Sequence, residues 1–355
     1  MTRLGVGVVG AGRVGAVLGS ALRAAGHPVL AVSAISQASR ERAELLLPGV
    51  PVAEVPEVAR ISELVLLAVP DDALAPLVRG LAEVGAWQPG QIVVHTAGRY
   101  GARVLDPARA AGAIPVALHP AMTFTGTSLD LARLVGCTFA VTAPTAVLPI
   151  GQALVVEMGG EPVVVAEEAR PLYHAALAHG ANHLVVLVAQ AGQALAAAGV
   201  EDPGRVLAPL LSAALDGALR AESTDAGFDR TGAIAALTGP VRRGDAGTVQ
   251  DHLDVLTALA ARTGAVDVAA SYRTLARAAT QRVLAAGLLP QAAATGLLDV
   301  LAEPGAPGVP GLPGPTGMAT GAPVLAEEDG APVDDGPPTQ DDPGQAPGTD
   351  EEDDA

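Results

Sequence analysis

The sequence contains no lysine; all 21 basic residues are arginine. Mechanisms that need a lysine side chain as acid, base or Schiff-base amine are excluded, apart from the chain's own amino terminus. Cysteine occurs once, at Cys137, so there is no internal disulfide framework, and a reducing cytoplasm is the expected compartment. Aromatics are 2% of residues although half are hydrophobic, so the core must be built from Ala, Val and Leu. No run of about 18 apolar residues lacks charged and polar breaks, and no membrane span is expected. A basic leader with a cleavage site is also missing from the N-terminus, where Leu4–Val9 reads as a strand.

What is abundant is acid. The net charge is −17, but residues 326–355 hold twelve of the acids and no arginine, leaving the rest of the chain at −5. A body so mildly acidic offers no basic stripe for nucleic acid. Residues 303–355 are rich in Pro, Gly and acids without apolar periodicity, and are expected to be a disordered, solubilising tail.

Before that tail, two patterns succeed one another. Residues 1–166 alternate short apolar runs with helical stretches. The runs are Leu4–Val9, Val29–Val32, Leu64–Val69, Ile92–Thr96, Pro115–Leu118, Cys137–Val141 and Pro162–Val165. Such alternation predicts an α/β domain with a parallel sheet covered on both faces. Residues 167–290 carry almost no strand signal and predict an all-helical second domain. Glu167–Ala198 reads as one helix, apolar nearly all round, to be buried in a bundle or at a subunit interface. Further helices are expected at Pro203–Arg220, Gly227–Leu237, Asp245–Thr263 and Val266–Ala286.

Gly10, Gly12 and Gly15 form a G-x-G-x-x-G array between the first strand and a helix over Val14–Ala25. In that context Gly10 makes the tight turn, Gly12 lets backbone approach a pyrophosphate, and Gly15 lets helix and strand pack closely. Ala11, Arg13 and Val14 complete the expected cofactor loop, which places the diphosphate at a helix N-terminus. NAD binders usually carry an acid at the end of the second strand; here the chain reads "AVSAISQASRER", with no acid before Glu41. Ser33, Ser36, Ser39, Arg40 and Arg42 suit a 2′-phosphate, so NADP(H) is expected over NAD(H). Alternatively Ser36 or Ser39 simply caps the next helix.

Other strand ends point to the same crevice. Val69 and Pro70 are expected to wall the nicotinamide side, with Asp71 or Asp72 capping the helix that follows. Thr96, His95, His119 and Thr123 also lie at or just after strand ends. His119 is the first candidate for general acid or base, because imidazole titrates near neutrality. On the long helix, Asn182 is a candidate for orienting a carbonyl or the nicotinamide amide. His179 and His183 are four apart, but without the adjacent glutamate of zincins no metal site is expected. In "TGPVRRGDAGTVQDHL", Asp245 or Thr248 can cap a helix beside Arg242 and Arg243. Arg243 is expected to clamp an anionic substrate, with His252 one turn beyond Thr248.

Six segments occur in order: "GVVGAGRVGAVL", "LLAVPDDAL", "VVHTAG", "LHPAMTFTG", "YHAALAHGANHLVVL" and "LTGPVRRGDAGTVQDHL". Together they resemble the Rossmann-like bacterial family whose C-terminal part is the domain of unknown function 2520. That family is similar to a wider group that includes pyrroline-5-carboxylate reductase, ketopantoate reductase and 6-phosphogluconate dehydrogenase. The resemblance implies a Rossmann domain, a helical domain and a homodimer formed through it. It also implies an oxidoreductase acting on a small carboxylate-bearing carbonyl or imine, with ketopantoate as a first substrate to try. The chain departs from the pattern in lacking the lysine that several of those enzymes use as acid–base group. The rival expectation is a dinucleotide-binding sensor or scaffold without turnover.

Overall fold

The computed structural model describes residues 3–222 and 231–302. The seven strands are β1 (Val6–Val9), β2 (Val29–Ser33), β3 (Leu64–Leu67), β4 (Ile92–His95), β5 (Ile114–Pro120), β6 (Thr138–Thr142) and β7 (Glu161–Val164). Helices of the sheet domain are α1 (Arg13–Ala24), α2 (Gln37–Leu46), α3 (Val55–Arg60), α4 (Asp71–Glu83), α5 (Asp106–Ala110), α6 (Leu129–Leu134) and α7 (Leu148–Glu157). Then come α8 (Arg170–Ala197), α9 (Pro203–Glu222), α10 (Pro240–Arg243), α11 (Ala246–Thr263), α12 (Val266–Ala285) and α13 (Gln291–Val300).

All seven apolar runs became strands of one sheet, in the order β2-β1-β3-β4-β5-β6-β7. Strands β1 to β5 run parallel, and a single parallel bridge from Val32 to Val52 extends the β2 edge. The departure from an all-parallel sheet is β6, which pairs antiparallel with β5, and β7 follows β6. Side chains alternate between the faces. Val6, Val8, Leu66, Val94, Val116 and Leu118 belong to one buried core with α1 and α7. Val9, Val65, Leu67 and Val93 belong to the other with α3 and α4. The same alternation puts His95 with Val93, and His119 with Ala117, on the second face.

Beyond the sheet, α10–α13 close a separate core around Val249, Leu253, Val283 and Leu297. Helix α13 lies in the stretch between the expected helical domain and the expected tail, and its Ala294 and Leu297 are wholly buried there. The bundle grips α8 through the buried Gln190, whose Nε2 donates to Asp267 Oδ2 (2.7 Å) and Ser271 Oγ (3.0 Å). Helix α8 itself is not buried in a bundle of the described residues: along its 28 residues only Arg170 and Gln190 are buried. With the preceding turn (Glu167–Ala197) it is long and apolar enough to cross a membrane, contrary to expectation, since a few His and Asn residues weigh little among so many Ala, Val and Leu. The expected tail over 303–355 and the start of the expected helix Gly227–Leu237 lie outside the described residues; Gly232–Ala236 is a 3₁₀ turn.

A buried pair joins α7 to the start of β1. His27 Nδ1 accepts from Leu4 N (3.0 Å), so its Nε2 carries the hydrogen donated to Glu157 Oε2 (2.7 Å). That bond, with Arg3 beside it, holds the Glu157 carboxyl below the usual carboxylate range. A depressed folded-state pKa adds stability that is present above the unfolded value near 4.5 and is lost as pH falls further. Glu157→Gln is therefore expected to destabilise the chain by about 1–2 kcal/mol at pH 7. In urea unfolding, the gap from the parent should shrink below about pH 4.

Candidate active site

The glycine loop has the shape expected of it. Gly10 takes φ +95°, and a Cβ there would meet Ala68 O at 2.6 Å. A Cβ on Gly15 would lie 2.1 Å from Gly10 O, so only glycine lets α1 sit on this turn. Gly12 is different: a Cβ there meets nothing within 4 Å. Gly12 is also the N-cap of α1 and, lacking a side chain, leaves the first-turn amides uncapped. An open concavity over bare helix-start N–H groups fits a diphosphate.

The second strand's end holds this loop in place. Ser33 is buried; its Oγ accepts from Gly10 N (3.0 Å) and its carbonyl accepts from Ala11 N (2.9 Å). Ser33 is thus committed to the loop and not free for a ribose phosphate. Ser36 caps α2, accepting from Ser39 N (3.2 Å), which is the capping alternative read from the sequence. Arg40 is exposed, with Nε reaching Ala34 O at 3.4 Å, and Arg42 donates to Ala11 O (3.2 Å). Arg13 is exposed at the first position of α1, and Val14 packs against the core below it.

Because β1, β3, β4 and β5 are parallel, their C-terminal ends share one edge. Val69 comes up against Gly10 on that edge, and Pro70 is exposed as the N-cap of α4. Neither Asp71 nor Asp72 caps that helix; both stand in its first turn, where the helix dipole favours them. After β5, the loop through Thr123–Gly126 is folded by Asp130, which accepts from Thr125 N (2.8 Å) and Gly126 N (2.7 Å). Gly126 rests against Arg13 and Arg42, and Thr123 is exposed.

Two histidines mark the ends of β4 and β5. His95 is fully buried, accepts from Ala97 N and donates from Nε2 to Gly101 O (2.9 Å); it shapes the loop that carries the half-buried Thr96. Burial pushes its pKa down to about 4. His119 is half-buried, and its Nδ1 lies 2.9 Å from Tyr173 Oη. The rings meet edge to face at 5.5 Å, with His174 6.0 Å away. Gly98 leaves room for both histidines, since a Cβ there would touch His174 at 2.5 Å and His119 Nε2 at 2.9 Å. Burial, with the Arg170 charge second, pushes the His119 pKa down to about 4. The imidazole is accordingly neutral at pH 7.

Tyr173 was not singled out in the sequence, and neither was Arg170 at the first position of α8. The other predicted groups do not join His119 within one chain. Asn182 is exposed on α8, nine residues and roughly 13 Å along the axis from Tyr173. His252 Nδ1 pairs with Tyr272 Oη (2.8 Å), beside the Ser271 that holds Gln190. Gln190 stands roughly 25 Å up the rod from Tyr173. Arg243 is exposed in the same bundle, lining an open cleft with Thr238, Gly239 and Arg242. Asp245 caps α11, accepting from Thr248 N (3.1 Å) and Thr248 Oγ1 (2.7 Å). His179 and His183 pair with each other on exposed α8, and no cluster of three metal-ligating residues exists among the described residues.

Residues 1–120 match the model of the Rossmann-like domain, and residues 137–279 match that of the Domain of unknown function (DUF2520). The chain therefore carries a Rossmann-like domain followed by a DUF2520 domain. No curated protein matches it. Among solved structures, this DUF2520 protein is similar to a candidate NADP oxidoreductase from Bacteroides fragilis (TM-score 0.60, 21% identity, 78% of this chain and 98% of that one). It is also similar to an imine reductase from Myxococcus stipitatus in complex with NADP+ (TM-score 0.58, 19% identity, 83% and 99%). A third is a reductive aminase from Aspergillus terreus (TM-score 0.56, 18% identity, 84% and 99%). At such identities the likeness establishes the fold.

Gly12 and Gly15 separate packing from ligand approach. Gly12→Ala is expected to leave the melting temperature unchanged while weakening dinucleotide binding by about tenfold or more, because its Cβ fills only the open concavity. Gly15→Ala should instead lower the melting temperature by several degrees, about 1–3 kcal/mol for overpacking at a helix–strand contact. Calorimetry and a fluorescence titration of each variant check both.

Proposed function

We propose that this DUF2520 protein is an NADP(H)-dependent oxidoreductase that moves a hydride to or from a small carbonyl or imine compound bearing an anionic group. The observation that carries this reading is the His119–Tyr173 pair on the same sheet edge as the open, uncapped glycine loop. When bound, the nicotinamide supplies hydride transfer. The remaining steps belong to the chain. Gly12 and the first-turn amides of α1 hold the diphosphate, and Val69 and Pro70 wall the adjoining space. The exposed Arg40, with no acid between Ser33 and Arg40, favours a 2′-phosphate.

Tyr173 Oη supplies the proton that the reduced substrate heteroatom takes up. The phenolate so formed accepts a hydrogen bond from His119 Nδ1–H, and a proton gained at His119 Nε2 lets the Nδ1 proton pass to that oxygen. His119 works here as a neutral relay and not as an imidazolium acid, in keeping with its lowered pKa. This pair fills the role that a lysine cannot fill in a chain without one. The imine reductase of the same fold, solved with NADP+, supports testing imines beside keto acids such as ketopantoate.

The reading includes a homodimer. Leu184–Val188 on α8 and Leu210 on α9 are exposed apolar residues in the single chain. A second copy laid on this face covers it, and its own bundle then brings Arg243 and His252 toward a crevice that one chain leaves without them. Light scattering of the full chain should give twice the mass of one chain. A monomer, or a protein dispersed only by detergent or lipid, contradicts this part.

For the cofactor, titration of the purified protein is expected to show NADPH binding at least about tenfold tighter than NADH, with Ser36→Asp reversing the order. Equal affinity, or an unchanged order in the variant, removes the 2′-phosphate reading. Absence of binding by either nucleotide removes the oxidoreductase reading and leaves the sensor or scaffold.

A further inference from the structure

Arg170 is the largest fully buried side chain in the protein, with no accessible surface. Its Nε donates to Thr142 Oγ1 (2.7 Å), and its Nη2 donates to Ala117 O and Ala140 O (3.0 Å each). These partners span the β5–β6 pair on the face that carries His119. Nη1 is buried and has no partner. None of the ion pairs among the described residues includes Arg170. The nearby Glu167 carboxylate is already engaged, accepting from Ala102 N (2.8 Å) and Arg103 N (3.2 Å).

A buried cation without a counter-anion carries a desolvation cost that no ion pair offsets. Its bonds to two carbonyls and a hydroxyl anchor α8, but neutral donors serve carbonyls as well. The charge itself calls for another explanation, and the neighbourhood supplies one. Arg170 Cζ lies 5.9 Å from the centre of the Tyr173 ring, one helical turn along α8. Both His119 and Tyr173 lie within its field.

We propose that Arg170 is a positioning residue whose unpaired charge favours the phenolate of Tyr173 and disfavours the imidazolium of His119, so that the proton leaves from Tyr173 and returns through a neutral histidine. This rests on the reading of the His119–Tyr173 pair as the proton donor. The groups facing Tyr173 are His119 from β5, Arg170 and His174 from α8 and, further off, Cys137 ahead of β6; His95 from β4 stands behind His119. Burial holds His95 and His119 neutral at pH 7, whereas Arg170 stays charged there: burial pulls its pKa down to about 10, still well above 7. Burial raises the Tyr173 phenol, and the Arg170 charge opposes that rise. At this separation, with an effective dielectric of about 20, one charge moves a neighbour by about one to two pH units.

The chain has three tyrosines, Tyr100, Tyr173 and Tyr272. In a full-length Tyr100→Phe, Tyr272→Phe background, the ultraviolet tyrosinate signal reports Tyr173 alone, without cofactor or substrate. Arg170→Met is expected to move that step upward by about one to two pH units, and Arg170→Lys, which keeps the charge but loses the fork, to stay within about half a unit of the parent. A step that does not move in a folded methionine variant overturns the proposal. If the methionine variant does not fold, an upward shift of a unit or more in the lysine variant overturns it, because geometry would then matter and charge would not. Since no nucleotide is present, this outcome is separable from failure of the NADPH titration, which bears on the oxidoreductase reading.

Discussion

The guanidinium of Arg170 is the joint on which the helical half depends. It is pinned to two strand carbonyls and one threonine hydroxyl across the β5–β6 pair, at the point where α8 leaves the sheet. Because it occupies the first position of α8, its anchoring sets where the next residues fall, and Tyr173 and His174 fall against His119. At the other end of the rod, Gln190 ties the bundle to α8. One buried cation and one buried amide therefore fix a spacer of roughly 25–30 Å between sheet edge and bundle.

That spacer explains why the sheet end and the bundle end carry different chemistry. The sheet edge has the open glycine loop and a histidine–tyrosine pair suited to proton transfer. The bundle has the exposed Arg243 in an open cleft with Thr238 and Gly239, suited to an anion. Neither is complete alone, and α8 presents an uncovered apolar length between them. In the proposed reductase, a second copy unites the two ends.

Much of the fold was legible in the sequence. Each strand announced itself as a short apolar run, and the glycine array stood in the right strand–turn–helix context. The reversal of β6 was not legible, because parallel and antiparallel partners present the same apolar run when both faces are covered. Helix α13 hid between a proline and the start of a Pro/Gly-rich segment. At the site, His119 was legible from its place at a strand end. Tyr173 and Arg170 were not: an arginine and a tyrosine at the head of an apolar helix look like ordinary first-turn residues until that turn is seen lying on the sheet. Conversely, Ser33 and Ser36 matched a phosphate-binding composition, yet both are used to hold backbone.

The most direct test of the account is a crystal structure of the full chain with NADP+. The account predicts the diphosphate over Gly12 at the start of α1 and the nicotinamide C4 within about 5 Å of Tyr173 Oη, close enough for one substrate atom group between them. It also predicts a partner chain against α8. A nicotinamide more than about 12 Å from both His119 and Tyr173 would contradict the account, because the pair could then take no part in the reaction.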